Sequence, residues 1–369
     1  MNTYIILLLI AAITFGFGFI LIPYIVALSR ELHLYDLPDS RKVHQLPIPR
    51  LGGITFLPVA ILSMTTMLLV LMRLDYDMQA LWKYTAILHV MAYLSGSIIL
   101  FIIGLYDDLH GVGYRLKFCA QVLAASLLCV SGLWVTDFSH IFFLGKIPFW
   151  IGMPATIGAT VYLTNAMNLI DGIDGLASGL SSISLLVIMV LNIICGNIAW
   201  AMMSAAFLGV ILAFFYYNVF NKENKIFMGD AGSLTVGFTL SFLILHFWQH
   251  NGVWNPHFHN VGIIAVSTLV IPLFDVVRVF FLRIRNGRNP FLPDKSHIHH
   301  KLLRTGLSPR KTMVTILLLD LCIIAINYLL ASCLSQTLMV LLNIILFTSI
   351  HLVINVFIHK KEHTAGITR

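Results

Sequence analysis

The sequence predicts an all-α polytopic membrane protein of about eleven transmembrane helices. Three observations carry this. Hydrophobic residues are 59% of the 369 and charged residues only 11%, with a mean hydropathy of +0.90; ordinary soluble domains carry about 25% charged residues. Apolar runs recur at the length of about 20 residues that crosses a bilayer as a helix. The runs also lack the alternation of a membrane β-barrel, so each must satisfy its backbone polar groups within its own helix.

Taken in order, the expected spans are 4–28, 51–72, 85–105, 118–136, 148–167, 177–195, 198–220, 231–249, 260–283, 312–332 and 336–358. The first lacks a basic leader and is too long for a signal peptide, so it reads as a retained span. The fifth carries Gly152, Pro154 and Gly158 and is expected to be kinked or partly re-entrant. The sixth and seventh meet tightly at Gly196-Asn197. With no internal repeat or polar domain, residues 1–369 read as a single integral-membrane domain. The longest polar connections are 29–50 and 284–311.

Alternating these spans puts 19 Lys and Arg on one side and three (Arg73, Lys83 and Lys146) on the other; Arg278 lies inside the ninth span. The positive-inside bias makes the first side cytoplasmic, with the N-terminus outside and the C-terminus in the cytoplasm. The same bias accounts for the net charge of +7 without nucleic acid. The five Cys form no C-x-x-C pair, so neither zinc nor disulfides are expected.

The informative residues fall on the cytoplasmic side. Asp107-Asp108 follows the third span; Asn168, Asp171 and Asp174 follow the fifth; Phe227-Met228-Gly229-Asp230 follows the seventh; Asp294 and His297-Ile298-His299-His300 follow the ninth. Polar groups at a bilayer boundary read as functional by default. Adjacent carboxylates repel unless a cation relieves them, and Mg²⁺ suits such a site because it takes few protein oxygens and bridges to phosphates. The blander reading of Asp107-Asp108 is a solvated helix end, and that of Asp230 is a helix cap. The glycines at 172 and 175 favour a loop around Asp171 and Asp174. The His stretch lies near Lys295, Lys301 and Arg304 and reads as an anion-binding loop, against a solvated surface loop or a zinc site. Asp275 and Arg278 share a face of the ninth span and are expected to pair, or Asp275 to face a polar cavity. In the 29–50 connection, Asp36, His44 and the run from Pro47 to Gly53 read as an ordered segment at the same surface, or as a basic loop drawn to anionic lipid.

These motifs resemble a known family, the polyprenyl-phosphate N-acetylhexosamine-1-phosphate transferases of glycosyltransferase family 4, which include the bacterial phospho-MurNAc-pentapeptide transferase. The likeness covers the 29–53 loop, Gly104 to Asp108, Asn165 to Gly175, Phe227 to Ser233 and Pro293 to His300. It implies that Asp107 and Asp108 are the catalytic acidic pair, with Asp171, His297, His299 and His300 also catalytic. It implies that Lys117 holds phosphate, that Asn168 and Asp230 coordinate Mg²⁺ (Mn²⁺ as a substitute), and that Asp174 and Phe227 contact uracil. Ser296-His297-Ile298-His299-His300 departs from the Pro-x-His-His-His of the peptidoglycan branch and favours the branch that transfers GlcNAc-1-phosphate to undecaprenyl phosphate. GalNAc and deoxy-amino sugars stay open.

The implied reaction takes a UDP-HexNAc and a polyprenyl phosphate to UMP and a polyprenyl-diphosphate sugar, starting a lipid-linked cell-envelope glycan at the bacterial inner membrane. Direct attack by the lipid phosphate is favoured over an aspartyl-phosphate intermediate. A homodimer is compatible with the sequence. Two other classes stand beside this reading: a multi-span transporter, and a lipid-phosphate binder without transferase activity. Surface acids without a repeat weigh against the transporter.

Overall fold

The computed structural model describes residues 3–36, 47–74, 76, 84–142, 144–249, 260–289 and 295–364. Each expected span contains helix, although the one expected over 118–136 is helical only to Val130. The helices are α1 (Thr3–Glu31), α2 (Phe56–Arg73, entered through a 3-10 turn at Gly52–Thr55), α3 (Tyr84–His110), α4 (Tyr114–Val130), α5 (Phe149–Ile170), α6 (Leu176–Ile194), α7 (Ile198–Val219), α8 (Gly229–Gln249), α9 (Val261–Ser267), α10 (Val270–Arg285), α11 (Ile298–Arg304), α12 (Pro309–Leu330) and α13 (Gln336–Thr364). Among the described residues eight helices are long and apolar enough to cross a membrane, or nine if the bent pair α9–α10 counts as one span. The expected fourth and fifth spans, α4 and α5, are not among these. All five cysteines are free.

The break falls in the ninth segment, not the fifth. α5 runs continuously through Pro154, whereas α9 and α10 meet at 66°. Pro272 lies four residues after Thr268 and has no N–H for the Thr268 carbonyl. The Ser184 hydroxyl donates to that carbonyl at 3.1 Å instead, which is how a broken helix stays satisfied away from water.

α8 is the centre of the bundle. It is the least apolar of the eight candidate spans, yet almost wholly buried, while the most apolar, α1, is largely exposed to the surroundings. Lipid is as apolar as leucine, so helices associate through small residues and hydrogen bonds rather than hydrophobicity. α8 follows that rule. A Cβ on Gly104 of α3 would come within 2.6 Å of the Ala231 backbone, and one on Gly237 within 2.9 Å of Thr164 in α5. Gly53 abuts Gly232, and the Gly53 N–H donates to the Met228 carbonyl at 2.8 Å.

Two short hairpins close the ends. β1 (Tyr35–Asp36) pairs antiparallel with β2 (Ile48–Pro49), and the Pro49 carbonyl accepts the Phe227 N–H at 2.7 Å. β3 (Asp137–Ile141) and β4 (Leu144–Lys146) form the second hairpin, at the far end of α8. There Trp248 donates its indole N–H to the Asp137 carbonyl at 3.0 Å. The C-terminal ends of α3, α5 and α7 and the N-terminal end of α8 therefore share the β1–β2 end.

Candidate active site

At that end lies a cavity of about 480 Å³ lined by Asp107, Asp108, Asp171, Asp174, Phe227, Asp230 and His300 among others. Its floor is a carboxylate cluster. One oxygen from each of Asp107, Asp108 and Asp230 lies within 4.8 Å of the others.

The three acids have different partners. Asp108 is buried, and its two oxygens accept the backbone N–H groups of Asp230 (2.8 Å) and Ala231 (3.0 Å) at the start of α8. The expected cap of that helix is thus supplied by α3 rather than by Asp230 itself. Gly229 permits the close approach: its φ is +71°, and a Cβ there would lie 2.6 Å from an Asp108 oxygen. Asp107 accepts the Val112 N–H at 2.5 Å. The Lys117 ammonium bridges the remaining pair, 3.1 Å from Asp107 and 2.6 Å from Asp230.

Asn168 joins the cluster as a donor. Its amide N–H groups reach Asp230 Oδ1 (3.1 Å) and Ser233 Oγ (2.8 Å), so ligation through its oxygen requires the amide to turn over. Three carboxylates against one ammonium leave an excess of negative charge, and all the facing donors are hard oxygens. That set fits a small divalent cation such as Mg²⁺.

A second corner holds Asp174, Lys225 and Phe227. Lys225 pairs with Asp174 at 2.5 Å and sits 5.9 Å from the Phe227 ring centroid, within reach for a cation–π contact. Asn218, at the end of α7, ties this corner together. It accepts the Gly175 N–H at 2.6 Å and donates to the Ile226 carbonyl at 2.8 Å. Between the corners, Asp171 lines the cavity. The surrounding protein, with the carboxylates of Asp230, Asp174 and Asp108, pushes its carboxyl up to about 7.

The three histidines are not equivalent. His300 lines the cavity. His299 is 2% exposed and seats its ring on Gly172, where any Cβ would overlap Nε2. Burial, then the neighbouring His300 and His297, hold its pKa down to about 3, so it is a neutral imidazole packed behind Gly172, which lines the cavity. His297 lies off the cavity and binds Asp275 Oδ2 through Nδ1 at 2.8 Å. Asp275 and Arg278 do pair, at 2.7 Å.

Sequence reasoning gave no role to Lys225, Asn218 or Pro309, all of which line the cavity. Lys225 entered only the charge count, Asn218 reads as an ordinary polar end to an apolar run, and Pro309 as a helix start. Asp36 and Arg50, from the flagged 29–53 loop, also line it and lie 3.9 Å apart. His44 and Asp294 fall outside the described residues.

Residues 90–247 match the model of glycosyl transferase family 4. A Bacillus subtilis protein described as a probable undecaprenyl-phosphate N-acetylglucosaminyl 1-phosphate transferase is 32% identical over 81% of this chain and 78% of its own length. The chain belongs to glycosyl transferase family 4. Undecaprenyl-phosphate alpha-N-acetylglucosaminyl 1-phosphate transferases of Yersinia pestis and Escherichia coli K12 are 31% and 30% identical, over 84% and 79% of this chain and 80% and 74% of theirs. The family match spans α3 to α8, and so takes in the acid cluster, Lys117, the 171–175 loop and Phe227, but not the His helix α11.

Proposed function

We propose that this glycosyl transferase family 4 protein transfers GlcNAc-1-phosphate from UDP-GlcNAc to undecaprenyl phosphate, releasing UMP. The observation that carries the reading is the pairing, in one cavity at a bundle end, of a lysine-bridged triple-carboxylate cluster with the Asp174–Lys225–Phe227 corner. One corner suits a diphosphate with its cation; the other offers a carboxylate acceptor and an aromatic face to a base. The relatives' names supply the sugar and the lipid.

In this reading the chain crosses the bacterial inner membrane eleven times as one domain. The uneven Lys and Arg count supports a cavity open to the cytoplasm, with the N-terminus outside. Asp107, Asp108 and Asp230, with Asn168 turned over, would hold Mg²⁺ or Mn²⁺. The bound ion would supply charge neutralisation on the diphosphate. Lys117 neutralises phosphate oxygens as they pass between donor and acceptor. Asp174 and Phe227 hold uracil by hydrogen bonding and stacking. Asp107 faces the lipid phosphate and keeps it oriented in line. Asp171, with its carboxyl near neutrality, takes or gives the proton of an incoming phosphate.

The test is purified protein in detergent with labelled UDP-GlcNAc and undecaprenyl phosphate. Mg²⁺-dependent lipid product with equimolar UMP is expected, and Asp230→Ala should abolish it. Entry of labelled nucleotide sugar into vesicles without UMP release would point to transport. A panel of UDP-sugars checks the choice of GlcNAc.

A further inference from the structure

The residue that ties the His helix to the bundle is itself outside the cavity. Asp275 is fully buried in α10. Its Oδ2 receives His297 Nδ1 at 2.8 Å, both its oxygens receive the Ile298 N–H at 3.1 Å, and Oδ1 receives Arg278 Nη2 at 2.7 Å. Arg278 also donates to the Ser296 carbonyl. From the other side, Lys301 meets His351 of α13 at 3.1 Å, and His351 Nε2 stands 3.9 Å from Asp275. Three converging donors therefore end on one carboxylate at the point where α11 begins.

A helix of seven residues does not hold its place alone. α11 has to hold its place, because it seats His299 on Gly172 and brings His300 to the cavity. We infer that Asp275 is the positioning residue of the His helix, fixing His297 and the start of α11 so that His299 and His300 stay aligned with the carboxylate cluster. A carboxylate only accepts, so it keeps the His297 proton on Nδ1. An amide in its place has one accepting oxygen for three donors and presents its own N–H groups to them. The inference rests on the transferase reading for its activity readout, but not for its structural one.

The test is Asp275→Asn in the full-length protein, read by steady-state kinetics and by hydrogen exchange. The expected result is a kcat at least tenfold lower with KM for UDP-GlcNAc within threefold, since the hydrogen bonds of Asp275 run to Arg278, His297 and Ile298 and not to Asp174, Lys225 or Phe227. Amides of 298–304 should exchange at least tenfold faster while those at the start of α8 stay unchanged. Combining Asp275→Asn with His297→Phe should cost little more than the worse single change, because both act through one contact. A kcat within twofold of the parent with unchanged exchange in α11 overturns the inference. So does faster exchange spread evenly over the chain, which marks general destabilisation. If the parent protein makes no lipid product with any UDP-sugar, the transferase reading fails, and exchange in α11 alone decides the role of Asp275. Should Asp275→Asn not fold, His297→Phe carries the same readouts.

Discussion

Asp108 caps the helix that carries Asp230. The Asp108 carboxylate accepts the Asp230 N–H at 2.8 Å and the Ala231 N–H at 3.0 Å, so the third span sets the depth and direction of the first turn of α8. Two adjacent acids with the same chemistry thereby acquire different tasks. Asp108 holds backbone N–H groups with both oxygens while still facing the cluster; Asp107 keeps an oxygen on Lys117.

This division predicts opposite phenotypes for the pair. Asp108→Ala orphans the buried Ala231 N–H and the part-buried Asp230 N–H, at about 1–3 kcal/mol for a buried one, so it should lower the apparent melting temperature in detergent markedly. Asp107→Asn keeps an acceptor for Val112 and should melt within a few degrees of the parent, while product formation falls at least 100-fold. Equal melting for both variants would remove the assignment of Asp108 to the cap.

Lys117 stands between two of the carboxylates that line the cavity, Asp107 and Asp230. Replacing it with Met removes a positive charge from a negative cluster, which strengthens the attraction for a divalent cation. Two outcomes are expected together in a Mg²⁺ titration of initial rate: kcat falls about 10–100-fold for want of a phosphate partner, and the half-saturating Mg²⁺ concentration falls too. EDTA should silence both proteins. A rise in the Mg²⁺ requirement would mean that Lys117 organises the carboxylates instead of competing for them.

The membrane segments were legible because hydrocarbon imposes a length and an apolar composition on each of them. The acid, Asn, Phe and His clusters were legible because each is a polar group at a boundary that penalises idle polarity. Three things were hidden. The break came just before Pro272 rather than at Pro154: each proline withholds one N–H from the carbonyl four residues back, and at Thr268 the Ser184 hydroxyl takes up the freed carbonyl, so the chain can bend there. His297 and His300 look alike in sequence, and only the position of Asp275 separates the one held in the protein from the one at the cavity. Asn218 joins two loops that are more than forty residues apart at Gly175, which no local pattern announces.

The seat of His299 on Gly172 is steric, so it is testable with one methyl. Gly172→Ala would overlap the imidazole Nε2 and should displace either the 171–174 loop or α11, lowering kcat at least tenfold. Gly158→Ala, where a Cβ meets nothing within 4 Å, is the matched control in α5 and should leave the rate within twofold. Similar activity of the two variants would show that the contact is not needed.

The same histidine gives the protein a defined response to acid. In the fold its pKa lies near 3, against about 6.5 for a histidine in an unfolded chain. The neutral form is the one the fold accepts, so the stability linked to His299 is complete above pH 6.5 and is lost as pH falls from there toward 3. Each unit in that window removes about 1.4 kcal/mol. Between pH 7.5 and pH 5 the loss from this residue is about 2 kcal/mol. His299→Gln takes no proton in either state, so its apparent melting temperature should fall less over the same interval, though it starts lower at pH 7.5 if the ring packing is lost. Melting curves of both proteins at the two pH values check the sign. A parallel decline would mean that His299 takes up its proton in the folded protein, and then the imidazole packed on Gly172 is a cation and not a neutral ring.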